Sequence, residues 1–437
     1  MFKTLRDALR IKEIRRRLLY VLLMLFIIRM TSQVPVPGVN TQFFQDYFSN
    51  NANDALNVLN AFTGGGFSNF SILALSITPY ITASIIVQLL TIAFPKLEEM
   101  QREGEEGRKK MNRITRYLTV GLSVFESVAM CIGFGNQLIL DMNFLNVMTV
   151  VVSLTAGSCL LMWLGEQINV KGVGNGISIV LLINILSRIP LDMITLYENF
   201  VMGKTIARAT VAWIVIFAII LAVVVLTLIL NGAERRIPVQ YSQKMVGRRL
   251  VGGNSSSIPL KINTAGVIPI IFATSLMSFP GIIVALTGKR PTGGAGAWII
   301  NMLSSGNWFN TSNWSYTVGL IIYVVLVVFF AYFYTSITFN PMLVSDNLKR
   351  QGGFIPGIRP GKPTEEYLNN VLKYVIFIGA IGLVIVCVIP YIFNGLFRAN
   401  VSFGGTSLII IVSVILETMK QIESMMLVRN YKGFLSD

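Results

Sequence analysis

The chain has 437 residues, of which 53% are hydrophobic and only 13% charged, with a mean hydropathy of +0.65. An ordinary soluble domain is about 25% charged, so this composition excludes a wholly water-facing exterior and points to lipid as the solvent. Lys and Arg number 36 against 21 Asp and Glu, and there is no His, which removes imidazole metal ligands, His general bases and His-based triads.

In chain order, residues 1–17 interleave Phe2, Leu5 and Leu9 with Lys3, Arg6, Arg10 and Lys12. That pattern reads as an interfacial amphipathic helix on the cytoplasmic side or as a solvated basic arm. Leu18 to Val34 is the first apolar run, and Pro35-Val36-Pro37-Gly38 follows it with no small-residue cleavage site, so it reads as a span and not a signal peptide. The next loop ends in Ala61-Phe62-Thr63-Gly64-Gly65-Gly66-Phe67. Such glycine-broken apolar pieces are too short to cross, and non-helical backbone is tolerated at membrane depth only against protein or a cavity. The stretch near 61–71 therefore reads either as a re-entrant plug or as a flexible loop.

Nine more apolar runs follow: Ile72 to Phe94, Tyr117 to Leu138, Phe144 to Gly165, Gly176 to Ile189, Ala209 to Leu230, Val267 to Leu286, Tyr316 to Ile337, Tyr374 to Phe393 and Val401 to Met419. A span needs roughly 20 apolar residues, so ten spans fit the length. Gly172, Gly174 and Gly176, between the fourth and fifth, lack the strand and spacing of a dinucleotide site and read as a tight turn between helices. The fifth span is the weakest, because Ser178, Asn184 and Ser187 interrupt it before Arg188 and Pro190. It should face protein or a water-filled cavity. Gly203-Lys204-Thr205 has Glu198 where a phosphate loop needs glycine, so no nucleotide site follows. Cys131, Cys159 and Cys387 lie far apart in apolar runs, which gives neither a disulfide framework nor a CxxC metal site.

The positive-inside rule orients the chain. With the N-terminus inside, 29 of the 36 basic residues fall in inner segments and 6 in outer ones, with Arg29 inside span 1. Both termini are then cytoplasmic. Ile77-Thr78-Pro79-Tyr80-Ile81 in span 2 echoes Val267-Ile268-Pro269-Ile270-Ile271 in span 7, five spans later. An odd number of spans per half inverts one half against the other, as in inverted-repeat transporters. The expected fold is an all-α membrane protein of ten transmembrane helices in two inverted five-helix halves, 18–200 and 201–437, with long cytoplasmic loops at 231–263 and 338–373.

Arg29 and Glu126 are the clearly internal ionisable residues, and they read as a structural ion pair or as snorkelling side chains. Their scarcity argues against ion coupling. It favours an apolar constriction over an ion filter. The inner loops carry Arg235, Arg236, Lys244, Arg248, Arg249 and Lys261, and then Lys349, Arg350, Arg359 and Lys362. These are either the ordinary orientation signal or docking sites for phosphates or an acidic surface. The function classes left open are a passive protein-conducting channel, an inverted-repeat solute transporter and a docking scaffold.

Seven blocks stand in order along nearly the whole chain: Val34-Pro35-Val36-Pro37-Gly38, Pro79 to Ile86, Met162 to Gln167, Gly174-Asn175-Gly176-Ile177-Ser178, Ala265 to Pro269, Phe354 to Gly361 and Phe403-Gly404-Gly405-Thr406-Ser407. Together they resemble the bacterial SecY family. The resemblance implies a non-enzymatic channel subunit in the bacterial plasma membrane that passes unfolded polypeptides and releases apolar segments sideways into lipid. Partners would be SecE, SecG, the SecA ATPase, the ribosome, signal sequences and preproteins, with no cofactor and no metal. It implies a pore ring of Ile77, Ile81, Leu181, Ile185, Ile271 and Ile410, and a plug of Phe62, Thr63, Gly64, Gly65, Gly66, Phe67 and Ser68. It also implies a lateral gate with Gln88 and Asn263, and partner docking through Arg248, Arg249 and Arg359.

Overall fold

The computed structural model describes residues 2–50, 60, 63–139, 141–202, 206–241, 244–246, 249–251, 255–287, 294–304, 307–308, 314–397 and 407–433. In chain order the helices are α1 (Phe2–Arg10), α2 (Lys12–Thr31), α3 (Thr41–Asn50), α4 (Thr78–Ala93), α5 (Pro95–Arg102), α6 (Glu105–Phe134), α7 (Phe144–Lys171), α8 (Gly176–Phe200) and α9 (Ile206–Gly232). Strands β1 (Glu234–Tyr241), β2 (Lys244–Val246), β3 (Arg249–Val251) and β4 (Ser255–Lys261) follow. Then come α10 (Ile268–Thr287), α11 (Gly294–Leu303), α12 (Thr317–Thr338), α13 (Pro341–Arg350), β5 (Gly353–Phe354), α14 (Lys362–Phe397) and α15 (Ser407–Gly433).

A helix lies over each of the ten apolar runs. Six helical stretches among the described residues are long and apolar enough to cross a membrane alone, and the pair α4 and α5, bent by 108°, is a seventh if counted as one span. Two boundaries differ from the sequence reading. Span 2 begins as a helix only at Thr78, because the chain from Gly64 to Ile77 runs through turns and Pro79 starts the helix. The fifth span does not stop at Ile189: α8 runs 25 residues with Pro190 inside it. The fold is not purely helical either, since the loop after α9 carries strands.

The chain divides into two compact units. The first comprises Met1–Ile214, Ser275–Gly319 and Tyr391–Asp437. Within it α6 packs on α4 and α7, α7 on α8, and α2 on both α7 and α8, while α15 packs on α8 and on α1. The buried stripe of α6 is Thr115, Thr119, Ser123 and Ser127. Small residues one turn apart let helix backbones approach. Their hydroxyls donate to carbonyls one turn back, Thr119 to Thr115 at 2.7 Å and Ser127 to Ser123 at 2.6 Å, so none arrives unsatisfied. The glycine turn between α7 and α8 is as the spacing predicts. The Asn175 side chain caps α8 by accepting from the Ile177 and Ser178 amides. A Cβ on Gly176 would stand 1.9 Å from the Gly165 carbonyl oxygen, so only glycine fits there.

The second unit comprises Val215–Thr274 and Leu320–Pro390. Its sheet has the order β4-β1-β5. β1 pairs antiparallel with β4, Ile237 opposite Ile258, and Gln240 pairs with Phe354 of β5. Buried Ile237 and Val239 alternate with exposed Arg236, Pro238 and Gln240, the period of a half-buried strand. The buried face joins Leu260, Leu348, Ile355, Leu368, Val371 and Val375 in one core.

Candidate functional site

Within the first unit, the glycine-bearing segment that precedes α4 is threaded among other elements and held by them. Its first tie is internal. The Thr63 hydroxyl donates to the Asn60 carbonyl at 3.0 Å and accepts from the Phe67 amide at 3.1 Å, and the Asn60 side chain accepts from the Ser68 amide at 3.1 Å. Gly64 and Gly65 turn the backbone at φ +65° and +87°, a region that favours glycine.

The second tie is to the chain after α2. The Val36 amide donates to the Phe70 carbonyl and the Ile72 amide to the Val34 carbonyl, both at 3.0 Å, and Pro35 bridges Ser71. The third is to α7 and α8. Ser158 donates to the Ser76 carbonyl at 3.1 Å, and the Asn184 side-chain amide to the Ser76 hydroxyl at 3.4 Å. A Cβ on Gly157 would meet the Ile72 carbonyl oxygen at 2.0 Å, so α7 touches this segment backbone to backbone. Phe70 and Ser76 are non-glycine residues at positive φ, 41° and 54°. Such backbone persists where its surroundings over-determine it.

The apolar half of the grip is aromatic. Phe67 and Phe70 are fully buried. The Phe44 ring of α3 lies 4.7 Å from that of Phe70, 6.0 Å from that of Phe67 and 5.1 Å from that of Phe134 on α6. Pairs of this kind add about 0.5 to 1.5 kcal/mol each beyond the area they bury. Residues 63–77 are thus packed against the chain after α2 and against α3, α7 and α8. Phe62 lies outside the described residues.

The expected ring positions fall on helix faces. Ile77 stands just before α4, and Ile81 is one turn in, its amide bonded to the Ile77 carbonyl at 3.0 Å. Leu181 and Ile185 are one turn apart on α8, and Ile410 is in the first turn of α15. Ile77, Leu181, Ile185 and Ile410 are buried and Ile81 is half-buried. Ile271, buried on α10, belongs to the second unit. Gln88 on α4 donates to Ser84 at 3.3 Å, while its buried carbonyl oxygen has no partner among the described residues. Asn263 is buried in the second unit and donates to the Asn231 side chain at 2.8 Å.

Of the expected docking arginines, Arg248 lies outside the described residues and Arg249 opens β3, paired with Val246. Arg359 is exposed on a stapled turn of the second unit: its carbonyl accepts from the Thr364 hydroxyl and that of Gly361 from the Ser345 hydroxyl, both at 2.8 Å. Sequence reasoning missed Asn60, Ser76, Ser158 and Phe44, which do much of the holding. Arg29 and Glu126 form no ion pair among the described residues; Arg29 instead points its guanidinium at the Gly64 carbonyl, 3.5 Å away. No cluster of metal-ligating side chains occurs among the described residues.

The SecY family model matches residues 71–419. Over the full length of both chains, the sequence is 41% identical to a Protein translocase subunit SecY of Halalkalibacterium halodurans and 40% identical to one of Bacillus licheniformis. With that of Thermotoga maritima the identity is 39% over all of this chain and 98% of the relative. A solved structure described as that of a protein conducting channel matches with a TM-score of 0.62 at 17% identity, covering 94% of this chain and 92% of the other. The idle yeast Ssh1 complex bound to the yeast 80S ribosome matches with a TM-score of 0.63 at 14% identity, covering 94% and 89%. At such identities these structures speak for the fold.

Proposed function

This chain belongs to the SecY family and is a multi-pass membrane protein of the protein-conducting channel class, and from that premise we propose how its residues open and close the path. Residues 62–68 are the plug. Ile77, Ile81, Leu181, Ile185, Ile271 and Ile410 form the constriction, because a passing polypeptide presents every side-chain type and the seal must exclude water and ions without binding any of them. Aliphatic side chains do this by dewetting. The solute-transporter and scaffold alternatives fall with family membership.

Ten crossings in two inverted halves, both termini in the cytoplasm and a bacterial plasma membrane complete this reading, supported by the inner excess of Lys and Arg. The protein supplies no chemistry of its own, so the driving force comes from partners. A ribosome or the SecA ATPase docks at Arg248, Arg249 and Arg359, and SecE and SecG complete the membrane complex. Gln88 and Asn263 serve the lateral gate through which apolar segments leave for lipid. The observation that carries the reading is the segment 63–77, which is gripped by side chains of α2, α3, α7 and α8 instead of forming a span of its own.

The test is ion leak through the full-length chain, reconstituted in vesicles with its co-purifying subunits. Deleting Thr63 to Ser68, or replacing Ile81 with Gly, raises the leak if plug and constriction are rightly assigned. Unchanged conductance in both variants removes the assignment.

A further inference from the structure

The plug reading gives Arg29 no task. Arg29 lies in the last turn of α2, half-buried, and no carboxylate pairs with it among the described residues. A guanidinium inside a span is costly unless something uses it. What it reaches is the Gly64 carbonyl oxygen, at 3.5 Å.

The local geometry reserves that carbonyl for Arg29. The Ser187 hydroxyl of α8 also lies near it, at 3.4 Å, but stands 2.7 Å from the Asn184 carbonyl. A hydroxyl has one proton, and the shorter, intrahelical bond takes it. Arg29 carries five N–H donors in a planar fork and stays charged. Gly64 itself is fixed by this neighbourhood. At φ +65°, a Cβ there would come within 2.6 Å of the Ser187 hydroxyl, 2.7 Å of the Asn184 carbonyl and 2.8 Å of the Arg29 guanidinium. The glycine thus lets the plug backbone sit directly against α2 and α8.

We propose that Arg29 is a positioning residue for the plug, a latch from span 1 that holds the Gly64 carbonyl against α8 in the closed channel. This rests on residues 62–68 being the plug. One end of the segment then rests on the Arg29 guanidinium, 3.5 Å from the Gly64 carbonyl, and the other on the aromatic cluster around Phe70. A displacement of α2 relative to α8 loosens the polar end first, because a single bond of this kind depends steeply on distance and angle. The latch makes the closed state sensitive to the position of span 1, which carries no ring residue.

The experiment measures ion leak and preprotein transport in vesicles containing the full-length chain with its co-purifying subunits. The variants are Arg29→Gln, Arg29→Lys, Gly64→Ala, the pair Arg29→Gln with Gly64→Ala, and deletion of Thr63 to Ser68. Arg29→Gln is expected to raise the leak about three- to thirty-fold, the range that one interhelical hydrogen bond in a membrane sets. Arg29→Lys restores part of the seal. Gly64→Ala leaks comparably, and the pair leaks no more than the worse single variant, since both break one contact. A wild-type seal in Arg29→Gln, or additive leaks in the pair, overturns the latch. Should Arg29→Gln reduce the amount of folded channel, Gly64→Ala decides, a wild-type seal in it overturning the proposal. If the deletion also fails to leak, the plug reading itself is wrong, an outcome distinct from failure of the latch alone.

Discussion

The segment proposed as the plug and the turn that presents Arg359 both bend through glycines at positive φ, Gly64 and Gly65 in one, Gly357 and Gly361 in the other, yet they are held in opposite ways. Around the plug the ties reach far along the chain: Arg29 to Gly64, Ser158 and Asn184 to Ser76. At the turn they stay local, with Ile358 bonded to Ile355, Thr364 to Arg359 and Ser345 to Gly361. A segment tied to distant helices keeps its place only while those helices keep theirs. A turn tied to the two helices next to it in the chain, through Ser345 of α13 and Thr364 of α14, keeps its shape while those two stay in place. The first is suited to being released and the second to offering an unchanging docking point.

The sharpest way to break this comparison is to remove Phe70, which is fully buried against Phe44 and Phe67. Truncating a buried phenylalanine costs about 3 to 5 kcal/mol. Phe70→Ala is therefore expected to raise ion leak more than about tenfold with partner docking intact; a tight channel in this variant would mean the aromatic cluster does not hold the plug.

Next in size is a matched pair of glycines. A Cβ on Gly157 would press the Ile72 carbonyl beside the plug, and one on Gly379 would press the Ile262 carbonyl, just after β4, at 2.2 Å. Overpacking of this kind costs about 1 to 3 kcal/mol. Gly157→Ala is expected to leak with docking unaffected. Gly379→Ala is expected to weaken partner binding, measured by co-sedimentation, with the seal unchanged. A crossed pattern would erase the distinction.

Charge reversal at the turn comes third. Arg359→Glu leaves the backbone staple in place, because Thr364 bonds the main chain, and should cut partner-driven transport roughly tenfold, about 1.4 kcal/mol, at normal membrane levels. The smallest effect is expected for Thr364→Val. It removes one hydrogen bond, about 0.5 to 1.5 kcal/mol, and should lower transport slightly without any leak.

How much of this was legible beforehand varies with the physics of each signal. The spans were plain because apolar runs of about 20 residues have few other readings. The start of span 2 was not, since Leu73-Ala74-Leu75 looks like helix and only Pro79, an N-terminal signal, marks the true beginning. Span 5 looked short because its polar residues were counted against it, and two of them, Asn184 and Ser187, touch the segment before α4. The strands were hidden among basic residues, although the alternation Arg236, Ile237, Pro238, Val239, Gln240 carries the period of two. Ser158 and Ser76 could not have been paired from sequence, because a hydrogen bond between residues 82 apart leaves no local trace.

The turn between α7 and α8 has a consequence for how the chain is made. The Gly174 amide donates to the Gln421 side chain, 247 residues later, and Arg17 reaches the Gly172 carbonyl from the other terminus. Ile422 shares a small apolar core with Ala8, Ile14 and Val173. Synthesis runs from the N-terminus, so α15 emerges last, after the entire second unit. The first unit therefore waits, nearly built, for its final helix. A nascent chain cut off before Gln421 lacks the side-chain acceptor of the Gly174 amide and the Ile422 that covers Ala8, Ile14 and Val173, so its small apolar core stays open until α15 arrives.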